Sequence, residues 1–163
     1  MTFLKNLIIP LLFIVASSPL LAQGAQVAFG TIQQNSNLPV EVTADSLSID
    51  QKSGTAIFTG NVVIGQGEMR LSAQEVLVVY STTDQGVARL EATGGVTLVS
   101  GEDAAESERA DYNVENGTII MSGNVLVAQG PSALTADKMT VELETGTAQM
   151  SGRVKTVLQT GDK

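Results

Sequence analysis

Phe58–Gly67 reads "FTGNVVIGQG", and Met121–Gly130 reads "MSGNVLVAQG". Both share Gly, Asn, Val and a closing Gln-Gly in one register. The phrase belongs to a longer unit. Ala44–Val62 is "ADSLSIDQKSGTAIFTGNV", Ala110–Val125 is "ADYNVENGTIIMSGNV", and Ala136–Val154 is "ADKMTVELETGTAQMSGRV". A degraded copy runs from Ala73 to Val96. Each unit is a short alternating run, a turn with Gly, a second alternating run, then Thr/Ser-Gly-x-Val. This is a strand–turn–strand repeat, one hairpin per copy. Asn116-Gly117 reads as a two-residue hairpin turn, because both residue types tolerate positive φ. Ser53-Gly54 and Thr145-Gly146 occupy the matching place in longer loops.

Within each run the period is two. Ala56, Phe58, Gly60, Val62 and Ile64 share one face, and Thr55, Ile57, Thr59, Asn61 and Val63 the other. The same phase collects Leu47 and Ile49; Met69 and Leu71; Val76 and Val78; Leu90, Val96 and Leu98; Tyr112 and Val114; Ile119, Met121, Val125 and Val127; Met139, Val141 and Leu143; Met150 and Val154. One apolar face opposite a mostly polar one describes antiparallel sheet buried on one side. No helix-period stretch occurs outside the N-terminal leader. The expectation is an all-β chain of ten or more short strands, folded as a sandwich, jelly roll or solenoid-like roll. Gly60, Gly94, Gly123 and Gly152 fall on the apolar phase, where glycine packs poorly. Their recurrence reads as a bend in every hairpin.

The chain of 163 residues carries a formal charge of −8 and contains no His, Cys or Trp. Thiol nucleophiles, imidazole acid–base chemistry and most zinc and iron sites are thereby excluded. The acidic balance disfavours nucleic acid and anionic membrane surfaces. Apolar residues at 43% argue against disorder. Met1–Ala22, "MTFLKNLIIPLLFIVASSPLLA", has a basic Lys5, an apolar run and a break at Ser17-Ser18-Pro19 before Ala22. That is the layout of a signal peptide cleaved after Ala22 or Gly24. The alternative is a retained anchor, for which the run is short of the ~20 apolar residues a span needs. Cleavage implies export, and in a Gram-negative cell the periplasm. Gln23–Leu38, rich in Gln, Asn, Gly and Ser, reads as a flexible segment ahead of a domain over residues 39–160.

Carboxylates offer the remaining chemistry. Glu102, Asp103, Glu106 and Glu108 lack the ligand alternation and central Gly of a calcium loop and read as a solvated loop. Asp45, Asp111 and Asp137 recur once per repeat at strand starts, as edge charges or turn caps. "GQGE" (Gly65–Glu68) and "TGG" (Thr93–Gly95) lack the strand–helix context of phosphate loops. The expectation is a non-enzyme with no catalytic residue, metal or cofactor.

"PVEVTADSLSID" (Pro39–Asp50), "AIFTGNVVIGQGEMRLSAQEVLVVY" (Ala56–Tyr80), "SGNVLVAQG" and "LTADKMTVELETGTAQMSGRVKTVL" (Leu134–Leu158) together resemble the OstA-like family of periplasmic lipopolysaccharide-transport bridge proteins, the LptA type. The resemblance implies a twisted, open-ended β-jelly roll whose copies stack head to tail. It implies a groove shielding lipid A acyl chains, lined here by Val40, Val42, Leu47, Ile49, Phe58, Val62, Ile64, Met69, Leu71, Val76, Val78, Leu90, Val96, Met121, Val125, Met139, Val141 and Met150. The implied partner edges are Val40, Glu41 and Val42 at one end and Val154, Lys155, Thr156, Val157 and Leu158 at the other. Implied partners are lipopolysaccharide, other copies, and related domains of an inner-membrane (LptC-like) and an outer-membrane (LptD-like) protein. A retained anchor would instead indicate the inner-membrane partner. Departures from the family are a shorter C-terminus and a differently composed Gly101–Glu108 segment. Without the resemblance, the same apolar face reads as the sealed core of a structural all-β protein.

Overall fold

The computed structural model describes residues 25–29, 38–83 and 86–157. The leader, most of Gln23–Leu38 and Leu158 lie outside them. Eleven strands follow in chain order: β1 (Ala25–Ala28), β2 (Glu41–Thr43), β3 (Ser46–Asp50), β4 (Thr55–Gln66), β5 (Met69–Tyr80), β6 (Val87–Ser100), β7 (Asp103–Asn113), β8 (Thr118–Gln129), β9 (Ser132–Glu142), β10 (Thr147–Ser151) and β11 (Lys155–Val157). All pair antiparallel in one open sheet. β4 to β9 lie side by side in chain order. At one margin β4 pairs with both β2 and β3; at the other, β9 pairs with both β10 and β11.

The strands are longer than the sequence suggests, with β6 reaching 14 residues, because each runs through its bend rather than ending there. The pairing register breaks at the same level in every central pair, for example between Thr59 and Val62 of β4 and between Thr93 and Val96 of β6. These aligned bulges crease the whole sheet along one line. Ala56, Val76, Leu90, Ile119 and Met139 lie on one side of the crease, and Ile64, Leu71, Leu98, Val127 and Leu134 on the other; all are buried. No second layer exists among the described residues, so the apolar face is covered by folding the sheet upon itself. The expected all-β, open, hairpin-built architecture is present.

The hairpin turns alternate in kind. At the outer ends of one half-sheet, four-residue loops at 51–54, 114–117 and 143–146 each close on a left-handed glycine. Asn116-Gly117 is therefore not a two-residue turn, and only Gly117 takes positive φ. On the other half-sheet the turns are two residues long, at 67–68, 101–102 and 130–131, each with a left-handed glycine first. That is the type II′ pattern, which matches the strand twist. The stretch expected to be an acidic loop, Glu102–Glu108, is a turn residue followed by β7. Ala25–Ala28, within the segment expected to be flexible, forms β1 on the edge of β10.

Candidate functional site: the creased apolar face

Alternation places the expected interior residues together. Val62, Ile64, Met69, Leu71, Val76, Val78, Leu90, Val96, Met121, Val125, Met139, Val141 and Met150 are all buried, at 2% exposure or less. Phe58, Val40 and Val42 are half-buried against the same cluster. Leu47 and Ile49 carry the same phase, opposite Phe58 and Ala56, yet are 51% and 61% exposed. At the far margin Val154 is 39% exposed. Inner-face side chains are thus covered through the middle of the sheet and uncovered at β3 and at Val154, where no further strand among the described residues stands beside or across from them. Of the expected edge Val154–Leu158, Lys155, Thr156 and Val157 form β11 and are exposed, Val154 precedes that strand, and Leu158 lies outside the described residues. Glu41 begins β2 at the opposite margin, also exposed.

The glycines expected on the interior face are not there. Gly60, Gly94, Gly123 and Gly152 have φ between 75° and 85° and sit on the crease. A Cβ on Gly60, Gly123 or Gly152 would lie 2.5–2.6 Å from a carboxylate oxygen of Asp45, Glu108 or Asp137. On Gly94 it would lie 2.7 Å from Cβ of Gln74. The next residue, also left-handed, reaches back to the same carboxylate in three creases. Asn61 Nδ2 donates to Asp45 Oδ2 (2.8 Å), Asn124 Nδ2 to Glu108 Oε1 (2.6 Å) and Arg153 Nε to Asp137 Oδ1 (2.9 Å). The Asp45 and Asp137 amides each donate to the glycine carbonyl at 2.9 Å. Each staple ties one strand of a hairpin to the next at the bend. Arg153 holds the Asp137 carboxyl below the usual carboxylate range. Asp111, grouped with Asp45 and Asp137 by the sequence repeat, lies inside β7 beside Arg109 instead. Glu108 is the residue equivalent in space.

Polar contacts join the two half-sheets away from the crease. Tyr112 Oη donates to Gln66 Oε1 at 2.7 Å, and Gln66 Nε2 donates to the Leu38 carbonyl at 2.9 Å. Tyr112 is buried, which pushes its phenol above the ordinary value. Gln129 Nε2 donates to the Ala28 carbonyl (2.6 Å) and to Asp103 Oδ2 (3.0 Å). Phe29, just past β1, is fully buried in the core, and its amide donates to the Gly146 carbonyl at 3.2 Å. The sequence reading misses Phe29, Gln66 and Gln129. The alternation Val27-Ala28-Phe29 is the one local signal for the first; the amides carry none. A surface cleft of about 410 Å³ lies among Leu38, Thr43, Val63 and Arg70, on the outer face and away from the apolar one. No group of His, Cys, Asp or Glu among the described residues is arranged to hold a metal ion.

Residues 41–151 match the family model described as "LptA/(LptD N-terminal domain) LPS transport protein". An uncharacterized protein of Rhizobium meliloti is 31% identical over 114 residues, which are 66% of this chain and 61% of that protein. The lipopolysaccharide export system protein LptA of Escherichia coli K12 is 28% identical over 81 residues, 50% of this chain and 43% of its own. The chain therefore spans less than two thirds of the length of either relative. The crystal structure of LptH, titled the LptA-homologous periplasmic component of the lipopolysaccharide transport device of Pseudomonas aeruginosa, shares the fold. Its TM-score is 0.68 at 18% identity, covering 77% of this chain and 99% of that one. By the extent of the family match, this chain belongs to the LptA/LptD-N-terminal-domain family of lipopolysaccharide-transport proteins.

Proposed function

We propose that the protein is a periplasmic carrier that shields lipid A acyl chains between its two half-sheets and bridges inner- and outer-membrane transport components. Membership of the transport family supports the substrate class. The observation that carries the rest is the exposure of Leu47 and Ile49 on the inner face of an end strand. The apolar lining is unfinished there and accepts either a guest chain or a neighbour's strand. Moving an acyl chain of about a dozen carbons through water costs on the order of 10 kcal/mol, at about 0.8 kcal/mol per methylene. A carrier needs a long apolar face and no reactive group. The acidic surface keeps the phosphorylated headgroup in solvent while the tails enter. The middle of the interior is packed, so entry begins at the open margin and spreads the half-sheets.

The two margins also fit each other. β2 and β3 are three and five residues long with a crease between them; β11 and β10 are three and five. Because neighbours alternate in direction throughout, β10–β11 runs opposite to β2–β3. A second copy added head to tail would continue the antiparallel order with each half-sheet extended in line. Such heterologous stacking need not close.

A photo-crosslinker at Ile49 or Phe58 is expected to capture lipopolysaccharide, and one at Thr59, outward on β4, is not. Equal capture at Phe58 and Thr59 would refute the carrier. The packed interior supports one rival, a structural protein with a sealed core, which would yield no lipid adduct at any of the three positions.

A further inference from the structure

β1 lies on the margin where the stack would grow. It pairs with β10 through Ala25↔Met150, Gln26↔Gln149, Val27↔Ala148 and Ala28↔Thr147. Its direction is antiparallel to β10, the direction that β3 of a second copy would take. Its inner-face residues have the same character as those of β3. Val27 packs against the core and Phe29 is fully buried within it, where β3 offers Leu47 and Ile49 two residues apart. β11, the other half of this margin, has no strand beyond it among the described residues. Only the five-residue half of the docking edge is occupied, and it is occupied by the chain's own N-terminal strand.

We propose that β1 is an intramolecular placeholder. It fills the β10 edge and closes that end of the apolar interior with Phe29, and a second copy docks by exchanging its β3 for β1. This rests on the stacking reading above. It adds that stacking is held back within each molecule and that joining copies and opening the interior at this end are one event. When β1 leaves, Phe29 leaves the core with it. The uncovered lining is then continued by Leu47 and Ile49 of the incoming copy. Short strands exchange readily, since β1 has four ladder residues and its one described side-chain tether is from Gln129 to the Ala28 carbonyl.

The chain has no cysteine, so a lock can be introduced cleanly. Gln26 and Gln149 face each other across β1 and β10, both exposed on the outer face. A Gln26→Cys/Gln149→Cys disulfide would hold β1 in place. Self-association is measured by sedimentation equilibrium for the wild type, the oxidised and reduced lock, and Phe29→Asp. The oxidised lock is expected to associate at least tenfold more weakly than the same protein reduced, and Phe29→Asp at least tenfold more tightly than the wild type. If oxidised and reduced forms associate equally while Leu47→Asp abolishes association, the stack stands and the placeholder falls. If the disulfide forms between two chains, seen as a dimer on a non-reducing gel, β1 is donated in trans and the placeholder falls. If neither the reduced lock nor Phe29→Asp associates at millimolar concentration, the stacking reading fails and takes the placeholder with it.

Discussion

Gly94 and Gly95 offer an internal control on what the crease requires. Both have φ of +85°. A Cβ on Gly95 would meet nothing within 4 Å, whereas one on Gly94 would lie 2.7 Å from Cβ of Gln74 and 3.7 Å from its Cα. Alanine at either position takes on the left-handed backbone at about 1–2 kcal/mol. Loss of unfolded-state freedom offsets about 0.4–1 kcal/mol of that. Gly95→Ala should therefore destabilise by about 1 kcal/mol. Gly94→Ala adds a carbon–carbon approach about 1 Å inside ordinary contact. The obstructing atom is tied to the backbone of β5 and cannot swing aside, so overpacking adds about 1–3 kcal/mol, for a total of about 2–4. Urea denaturation reads the difference as a lower midpoint at unchanged slope. Losses equal within about 0.5 kcal/mol would refute the idea that close strand approach, rather than backbone conformation alone, selects glycine at the bend.

Three further outcomes follow from single contacts. Tyr112→Phe removes the hydrogen bond to Gln66 and should cost about 1 kcal/mol at neutral pH by the same assay. Because burial raises the Tyr112 phenol, its contribution is intact below the ordinary phenol value and is lost as pH rises beyond it; the mutant should lack that alkaline loss, and identical alkaline profiles would contradict it. Asp137, held low by Arg153, contributes above its ordinary value and loses that contribution as pH falls. The stability gap between wild type and Asp137→Asn should accordingly shrink below about pH 4, and a constant gap would count against the staple. Ser100 Oγ is buried with no hydrogen-bond partner among the described residues, so Ser100→Ala should be neutral or stabilising by up to about 1 kcal/mol; a comparable loss would reveal a partner.

The alternation, the hairpin repeat and the recurring bend are legible in the residues alone, since all three are local. A strand's pleat sends successive side chains to opposite faces wherever the strand finally lies, and Gly-Asn tolerates left-handed backbone in any context. Hence Val62, Ile64, Leu90 and Met121 were legible as interior residues. The repeat even carried the phase of the crease without explaining it. The apolar positions of β4, β6 and β8 keep step across Gly60, Gly94 and Gly123, while those of β5, β7 and β9 slip by one at Gln74, Glu108 and Asp137. The reason lies in how the strands pair. In the β4–β5, β6–β7 and β8–β9 pairs two left-handed residues on one strand oppose a single residue on its neighbour, and the shorter side must skip a place to keep its apolar face inward. The same holds for what stands at the margins. Leu47 and Ile49 have the sequence of a buried strand and are exposed because the sheet stops at β3. Ala25–Ala28 lies in a stretch with the composition of a linker and is a strand because β10 offers it an edge to pair with. Edges are properties of the assembled sheet, and no single segment contains the information for its own neighbour.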